Sequence, residues 1–446
     1  MTRPRKWWNQ QKTRADNPLK SRGKLFTVFL VVLVDLMGFG IVLPLLPFYA
    51  SEFNASPVVI GLLYSVFSFA QLIFSPIWGS LSDRIGRRPI MLLSTFGAVI
   101  AYIIFGLAGS LFVLLLSRVI AGVMGGNIST AQAYVADVTS SEDRAKGMGM
   151  IGAAFGLGFV LGPAMAAGLI HPALPGFFTQ AGFTETAAWL TDNRYALPGF
   201  FAAFLSFCSF LLVWLRLEET VDTSKSEQNT PTRYGVFTPS FWQSLSSQKK
   251  RAGSFFGILL LAAFILSFGQ ASLYSAFPLF CEEILNMTPE QVGIQFFYIG
   301  LVAVIVQGGL IRPLTRWFSE EKIFLAGNIL MVLGMALIAV AGSVSMLTFF
   351  LGIMALGHSL NLPTMNSLIS KEADEGRVGA MMGTAQGLSG LGRTIGPAWG
   401  GFLFTFSPQL PFFLTATALA ITIWIGLKMV GGGGQPNLAE GRLEAE

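Results

Sequence analysis

Two residues of this chain could carry charge chemistry where water is scarce. Asp35 lies in the apolar run VFLVVLVDLMGFGIVLPLL, and Arg118 in LFVLLLSRVIAG. A charge at the centre of a membrane-spanning helix costs roughly 2.5–3.5 kcal/mol on insertion scales and is seldom kept without a partner or a use. Asp35 is the only acid well inside any apolar run of the sequence. Pairing it with Arg118 is the economical expectation, since each would sit about 10–15 Å along its helix from opposite ends at 1.5 Å per residue. A carboxylate so placed can take up or release a proton as its distance from the guanidinium changes. The alternative is a static pair that only braces two helices. His358 is the other proton-exchanging candidate, although a lone membrane histidine more often hydrogen-bonds a neighbouring helix.

Other chemistries find no residues to perform them. The chain has two histidines, His171 and His358, and no HExxH, GxSxG or phosphate-binding GxxxxGK[ST] pattern. Cys208 and Cys281 are too few for a disulfide framework or a metal cluster and read as ordinary apolar positions. No enzyme activity and no cofactor are expected.

The elements that must hold these groups follow from composition. Of 446 residues 53% are hydrophobic and 12% charged, with a mean hydropathy of +0.62, against roughly 25% charged in soluble domains. Runs such as 90–117 and 323–370 contain no charge at all, and a spanning helix needs about 20 apolar residues. Breaking the sequence at charges and at Pro, Gly and Asn clusters gives spans near 25–50, 58–79, 88–109, 112–136, 145–170 and 197–217, then 253–281, 290–312, 322–343, 346–369, 377–404 and 408–429. In lipid, backbone amides must be paired within the segment, so these are helices. The expected fold is all-α and membrane-embedded, with twelve transmembrane helices in two parallel six-helix repeats.

The expected organisation is a basic tail at 1–24, a six-helix half at 25–217, a polar linker at 218–252, a second half at 253–429 and a tail at 430–446. With both termini assigned to the cytoplasm, nearly all loop Lys and Arg fall on that side, while the other side holds only Arg194. The pI near 9.2 then reflects loops beside anionic lipid rather than a nucleic-acid partner.

The halves repeat each other. GFVLGPAMAAG from Gly158 recurs as GRTIGPAWGGF from Gly392, at an offset of 234, and Pro47, Glu52, Pro57 and Gly61 recur as Pro278, Glu283, Pro289 and Gly293 at offsets of 231 or 232. Transporters built on such repeats bind substrate between them near the bilayer midplane.

Between the second and third spans stands GSLSDRIGRRPIM, carrying Gly79, Asp83, Arg84, Gly86, Arg87 and Arg88. Gly79 allows close helix contact and Gly86 a tight turn, while Asp83 could cap a helix amino terminus and pair with a cation. The segment resembles the signature G-x-L-x-D-R-x-G-R-R/K of the major facilitator superfamily at every fixed place. The resemblance implies a latch that joins the halves on the cytoplasmic face when the transporter is open outward; the plain alternative is a charged loop that sets orientation. The second-half counterpart keeps Gly309 but has Pro313 in place of the acid. Gly158, Gly162 and Pro163, and in complete form Gly392, Gly396, Pro397, Gly400 and Gly401, resemble the superfamily's G-x-x-x-G-P-x-x-G-G pattern, a signature of its antiporter branch. Small residues one turn apart admit a close neighbour and proline bends the span.

The stretch from Asp35 is similar to the first helix of tetracycline/proton antiporters, and drug exporters of that kind carry an acid in helix one and an arginine in helix four. Their further acids in helices three and nine have no counterpart within 88–109 or 322–343, which leaves proton coupling on Asp35 and Arg118. The remaining interior polar groups include Tyr64, Asn127, Gln270, Tyr298, His358 and Asn361, which are candidates for a substrate cavity, and Arg393, which is expected to brace the second half. Amides and aromatics with few fixed charges suit an amphipathic organic molecule. The expected function is proton-coupled export of lipophilic or amphipathic compounds by alternating access, by a monomer in a bacterial inner membrane. A facilitator or symporter for an endogenous metabolite or lipid is the alternative, and a non-transporting membrane sensor a remote one.

Overall fold

The computed structural model describes residues 18–140, 143–221, 254–372 and 378–432. Most of the expected linker and both expected tails lie outside these residues. The described residues are helical, without strands.

Twelve spans form the bundle. They are α1 (Pro18–Glu52), α2 (Pro57–Ile85), α3 (Arg87–Gly106), α4 (Leu111–Val138), α5 (Arg144–Leu169) and α6 (Ala196–Arg216), then α7 (Ser254–Leu285), α8 (Pro289–Trp317), α9 (Glu320–Ile338), α10 (Val344–Lys371), α11 (Val378–Phe404) and α12 (Leu410–Gly432). Eleven of the twelve are long and apolar enough by composition to cross a membrane. The exception is α11, whose 27 residues carry eight glycines and Arg393 and so fall short in hydropathy rather than length. Large apolar side chains such as Phe112, Phe349 and Trp424 stand exposed around the bundle, where lipid rather than water is their solvent.

The helices start and stop for local reasons. Ser56, Ser110 and Ser343 each accept a hydrogen bond from a first-turn amide of α2, α4 and α10, while Thr288 and Gln291 form a reciprocal capping box at α8. Two ion pairs mark the ends of the first half: Lys24 with Glu218 at 2.6 Å on the side of the chain termini, and Arg194 with Glu52 at 3.3 Å on the far side. Two short helices, Ala173–Gln180 and Thr184–Asp192, occupy the α5–α6 connection on that far side.

Three departures from the sequence reading matter for the site. First, α2 runs to Ile85 rather than ending near 79, so Asp83 and Arg84 lie on a helix and Gly86 alone joins it to α3 at a positive φ of 110°. Second, α4 breaks at Gly125–Gly126. Third, α8 contains a π-helical turn at Val306–Leu310, a wider turn that often accompanies functional positions.

Candidate functional site

The break in α4 frees carbonyls inside the membrane, and neighbouring side chains catch them. Trp78 Nε1 donates to Val123 O at 2.6 Å, Gln71 Nε2 to Gly125 O at 2.9 Å, and Ser94 Oγ to Met124 O. The second segment of α4 then opens on Asn127, which is 3% exposed and whose amide donates to Asp35 Oδ2. The other carboxylate oxygen of Asp35, Oδ1, is buried and has no hydrogen-bond partner.

Arg118 is 2% exposed. Its guanidinium lies 4.9 Å from the centroid of Phe105, and Nε donates to Ser117 Oγ at 3.3 Å, while one terminal nitrogen is unpartnered. The expected direct pair with Asp35 does not form among the described residues. Tyr102 of α3 stands in electrostatic range of both charges, and its hydroxyl is lodged against Gly38, one turn from Asp35 and tight enough that a methyl there would lie 2.5 Å from it. Charge counting pointed to a contact, whereas Asp35 instead meets Asn127, and Arg118 meets Ser117 and Phe105.

Tyr64, 3% exposed, donates its hydroxyl to Leu43 O and lies 6.4 Å ring to ring from Tyr274 of α7, in the other half. Phe39 of α1 stacks on Phe67, meets Phe159 edge-on and also approaches Tyr274. Gln270, one turn before Tyr274, keeps Oε1 buried and unpartnered. The other candidates sit elsewhere in the second half. Tyr298 presses its hydroxyl against Gly352 of α10, and His358 has a buried, unpartnered Nδ1. Asn361, 1% exposed, donates to Asn328 Oδ1 at 2.9 Å, and Asn328 donates to Thr422 O at 3.1 Å, so these amides tie α10, α9 and α12 together. Arg393, read as a brace, makes no hydrogen bond or ion pair among the described residues.

The Gly-Pro motifs occupy equivalent places. Gly158 and Gly162 press against Leu36 and Gly40 of α1, and Gly392, Gly396 and Gly400 against Phe264, Phe268 and Ser272 of α7. Each motif also faces the opposite half. Pro163 O would lie 3.2 Å from a methyl on Gly293 of α8, while Pro397 O leaves no room for one on Gly61 of α2, nor Pro57 O for one on Gly401. Beyond Pro397, the Ala398 amide donates to Ser65 Oγ at 3.0 Å across the interface. These contacts lie on the far side. Toward the terminal side Gly149, Gly152, Gly308, Gly309 and Gly383 have no neighbour within 4 Å of an added methyl, so these glycines form no close seam between the halves there.

The charged motif turns inward on its own half. Arg87 pairs with Asp83 at 2.6 Å and Asp137 at 3.1 Å and donates to Ser82 Oγ at 2.6 Å. The cap on α3 comes not from Asp83 but from Glu219, which accepts from the amides of Arg87 and Arg88 at 2.9 and 3.1 Å. Its carboxylate fills the space a side chain at Gly86 would need. Arg88 donates to Trp214 O at 2.7 Å, and Arg84 is exposed. Gly79 faces Ser129 Oγ at an ordinary 3.6 Å. The sequence reading missed Tyr102, Tyr274, Asp137, Glu219 and Asn328; each looks unremarkable alone and gains its role from contacts distant in sequence.

Twelve spans in two matching halves, with polar groups held between them, define a membrane transporter rather than an enzyme. The chain belongs to the major facilitator superfamily, whose model matches residues 28–321 and again 259–440. It is 30% identical to the class B tetracycline resistance protein of Escherichia coli over 86% of this chain and 88% of that one. It is 26% identical to multidrug resistance protein 1 of Bacillus subtilis, over 87% and 92%. Among solved structures it resembles the human organic anion transporter MFSD10 (TETRAN), with a TM-score of 0.67 and 25% identity over 92% of this chain and all of that one.

Proposed function

We propose that this transporter exports lipophilic or amphipathic organic compounds in exchange for protons, by alternating access between halves spanning 25–217 and 253–429, joined by a linker at 218–252. It works as a monomer in a bacterial inner membrane, with the tails at 1–24 and 430–446 in the cytoplasm. The observation that carries the reading is the state of Asp35 and Arg118: an interior acid and an interior cation, held apart with an unpartnered atom on each. A fully neutralised pair would resist proton exchange, whereas an acid held by one amide can change its protonation as the helices shift. The relatives named for tetracycline and multidrug resistance support the export direction.

Residues 79–88 are the latch on the terminal side. Its charges now satisfy one another within the first half, as befits a conformation parted on that side. In the converse conformation this segment holds the two halves together on the terminal side.

The test is accumulation of a lipophilic fluorescent dye in vesicles with an imposed pH gradient. Export stops when a protonophore collapses the gradient; a rate indifferent to the gradient removes the proton-exchange reading. Labelling of single cysteines at Thr191 and Ser224 should reach the first from outside and the second from inside. A second reading, a facilitator or symporter for an endogenous metabolite or lipid, is favoured by the absence of acids in the interior of α3 and α9.

A further inference from the structure

Away from the span ends, the described interior holds two guanidiniums, Arg118 and Arg393, against one carboxylate, Asp35. The first half therefore contains an acid to set against its cation, and the second does not. Arg393 lies on α11 one residue beyond Gly392, which presses the helix against the backbone of α7. Its side chain folds back over Gly390, with Nη2 3.8 Å from where a methyl on that glycine would stand. Leu72 of α2 approaches the same point to 2.7 Å. The guanidinium therefore sits where α11 meets the opposite half, and its electrostatic neighbour is the phenol of Tyr274. Tyr274 lies 6.4 Å from Tyr64, and Tyr64 is in electrostatic range of Arg118. The row Arg393, Tyr274, Tyr64, Arg118 thus crosses the interface with a cation at each end and no carboxylate in it.

A guanidinium cannot shed its charge as a lysine or histidine can, and its donors form a rigid planar fork. Arg393 is partly exposed, and with no protein acceptor among the described residues its donors are open to a ligand. A carboxylate matches it with two parallel charge-assisted hydrogen bonds. A lipophilic cation would meet like charge at both ends of the row.

We propose that the substrates are amphipathic organic monoanions, aromatic carboxylates above all, with the carboxylate held by Arg393 and the apolar body against Phe39, Phe67 and Phe159. This deepens the export reading and rests on it. It also fits the energetics of exchange: an anion leaving and a proton entering both carry charge in the direction favoured by an interior-negative potential.

The test uses the purified full chain and three matched probes: a pyrene carboxylate, its neutral carboxamide and a pyrenyl methylammonium. Binding is read by fluorescence quenching, which needs no proton gradient. The carboxylate should bind at least about tenfold tighter than the amide, as expected for a bidentate charge-assisted contact, and the ammonium weakest. Arg393→Gln should erase the difference between carboxylate and amide, and Arg393→Lys, which keeps the charge, should retain part of it. Equal binding of acid and amide, preference for the ammonium, binding of none of the three, or an undiminished acid preference in Arg393→Gln would each overturn the proposal. The two readings separate in proteoliposomes. Gradient-driven transport of the amide or ammonium in preference to the acid would sink the anion proposal alone, and gradient-independent transport of the carboxylate would sink proton exchange alone.

Discussion

In the first half the bent helix α5 lies on α1 and shows its proline carbonyl to Gly293 of α8; in the second, α11 lies on α7 and shows its own to Gly61 of α2. Packing positions are therefore shared between the halves, but the groups placed behind them are not. The first half holds Asp35, Asn127, Tyr102 and Arg118 together, and its terminal side carries a closed set of ion pairs around Arg87. The second half spends its amides on joining helices, leaves Arg393 without an acid and exposes Arg312 and Arg316 where the first half has its network. A duplicated scaffold can keep its packing seams in register while the polar groups placed behind them diverge.

Six substitutions, in four tests, would break or sharpen this comparison. The largest effect is expected at Asp35: Asp35→Asn should abolish pH-gradient-driven export while dye binding persists. Unchanged pH dependence in that variant would move the coupling role to His358, in the second half. Next is the far-side seam, where the halves differ in tightness. Gly61→Ala, driven into the Pro397 carbonyl, should cost the far-closed conformation about 1–3 kcal/mol as overpacking does. Gly293→Ala, which meets Ala167 Cβ at 3.0 Å, should cost clearly less; cysteine accessibility at Ser56 would compare them, and equal responses would erase the asymmetry. Third, Asn328→Ala should lower the unfolding midpoint in detergent, through loss of about 1–3 kcal/mol when buried partners are stranded, with little change in pH dependence. An altered pH profile instead would give the second half a share in coupling. The smallest contrast concerns the terminal side: Asp83→Asn should reduce transport severalfold through the latch, whereas exposed Arg312→Gln should stay within about 0.5 kcal/mol of the parent in stability and near its transport rate. Equal losses at both would make the two networks equivalent.

Span number, repeat and the Gly-Pro motifs were legible because lipid demands long apolar runs and because a duplicated packing motif leaves a constant offset. Boundaries failed where a rule of composition met a stronger local force. Charges at Asp83 and Arg84 looked like a loop, yet a helix end emerging from the bilayer tolerates them, and α2 runs on to Ile85. The break at Gly125–Gly126 was hidden inside an apolar stretch, since what permits it is the supply of donors from Gln71, Ser94 and Trp78 on other helices. The same holds at the site. Asp35 and Arg118 stood out as charges in apolar runs, but sequence alone did not show that Asn127 takes the one and that Ser117 and Phe105 meet the other. Glu219 caps α3 from more than 130 positions away, a relation that no local pattern carries.

The seam between Gly61 and Pro397 bears on speed as well as on fit. Where two helices touch mainly through backbone atoms, as here apart from the Ala398 amide's bond to Ser65 Oγ, few side chains have to leave one rotamer and find another when they part. Interlocked side chains would have to disengage one by one, and each would add roughness to the path. A main-chain seam instead separates like two smooth faces, so its resistance scales with the area uncovered rather than with the number of teeth. If residues 79–88 act as the proposed latch, reversal of the bundle would then be paced by them at the opposite end, and the far side would follow with little friction of its own.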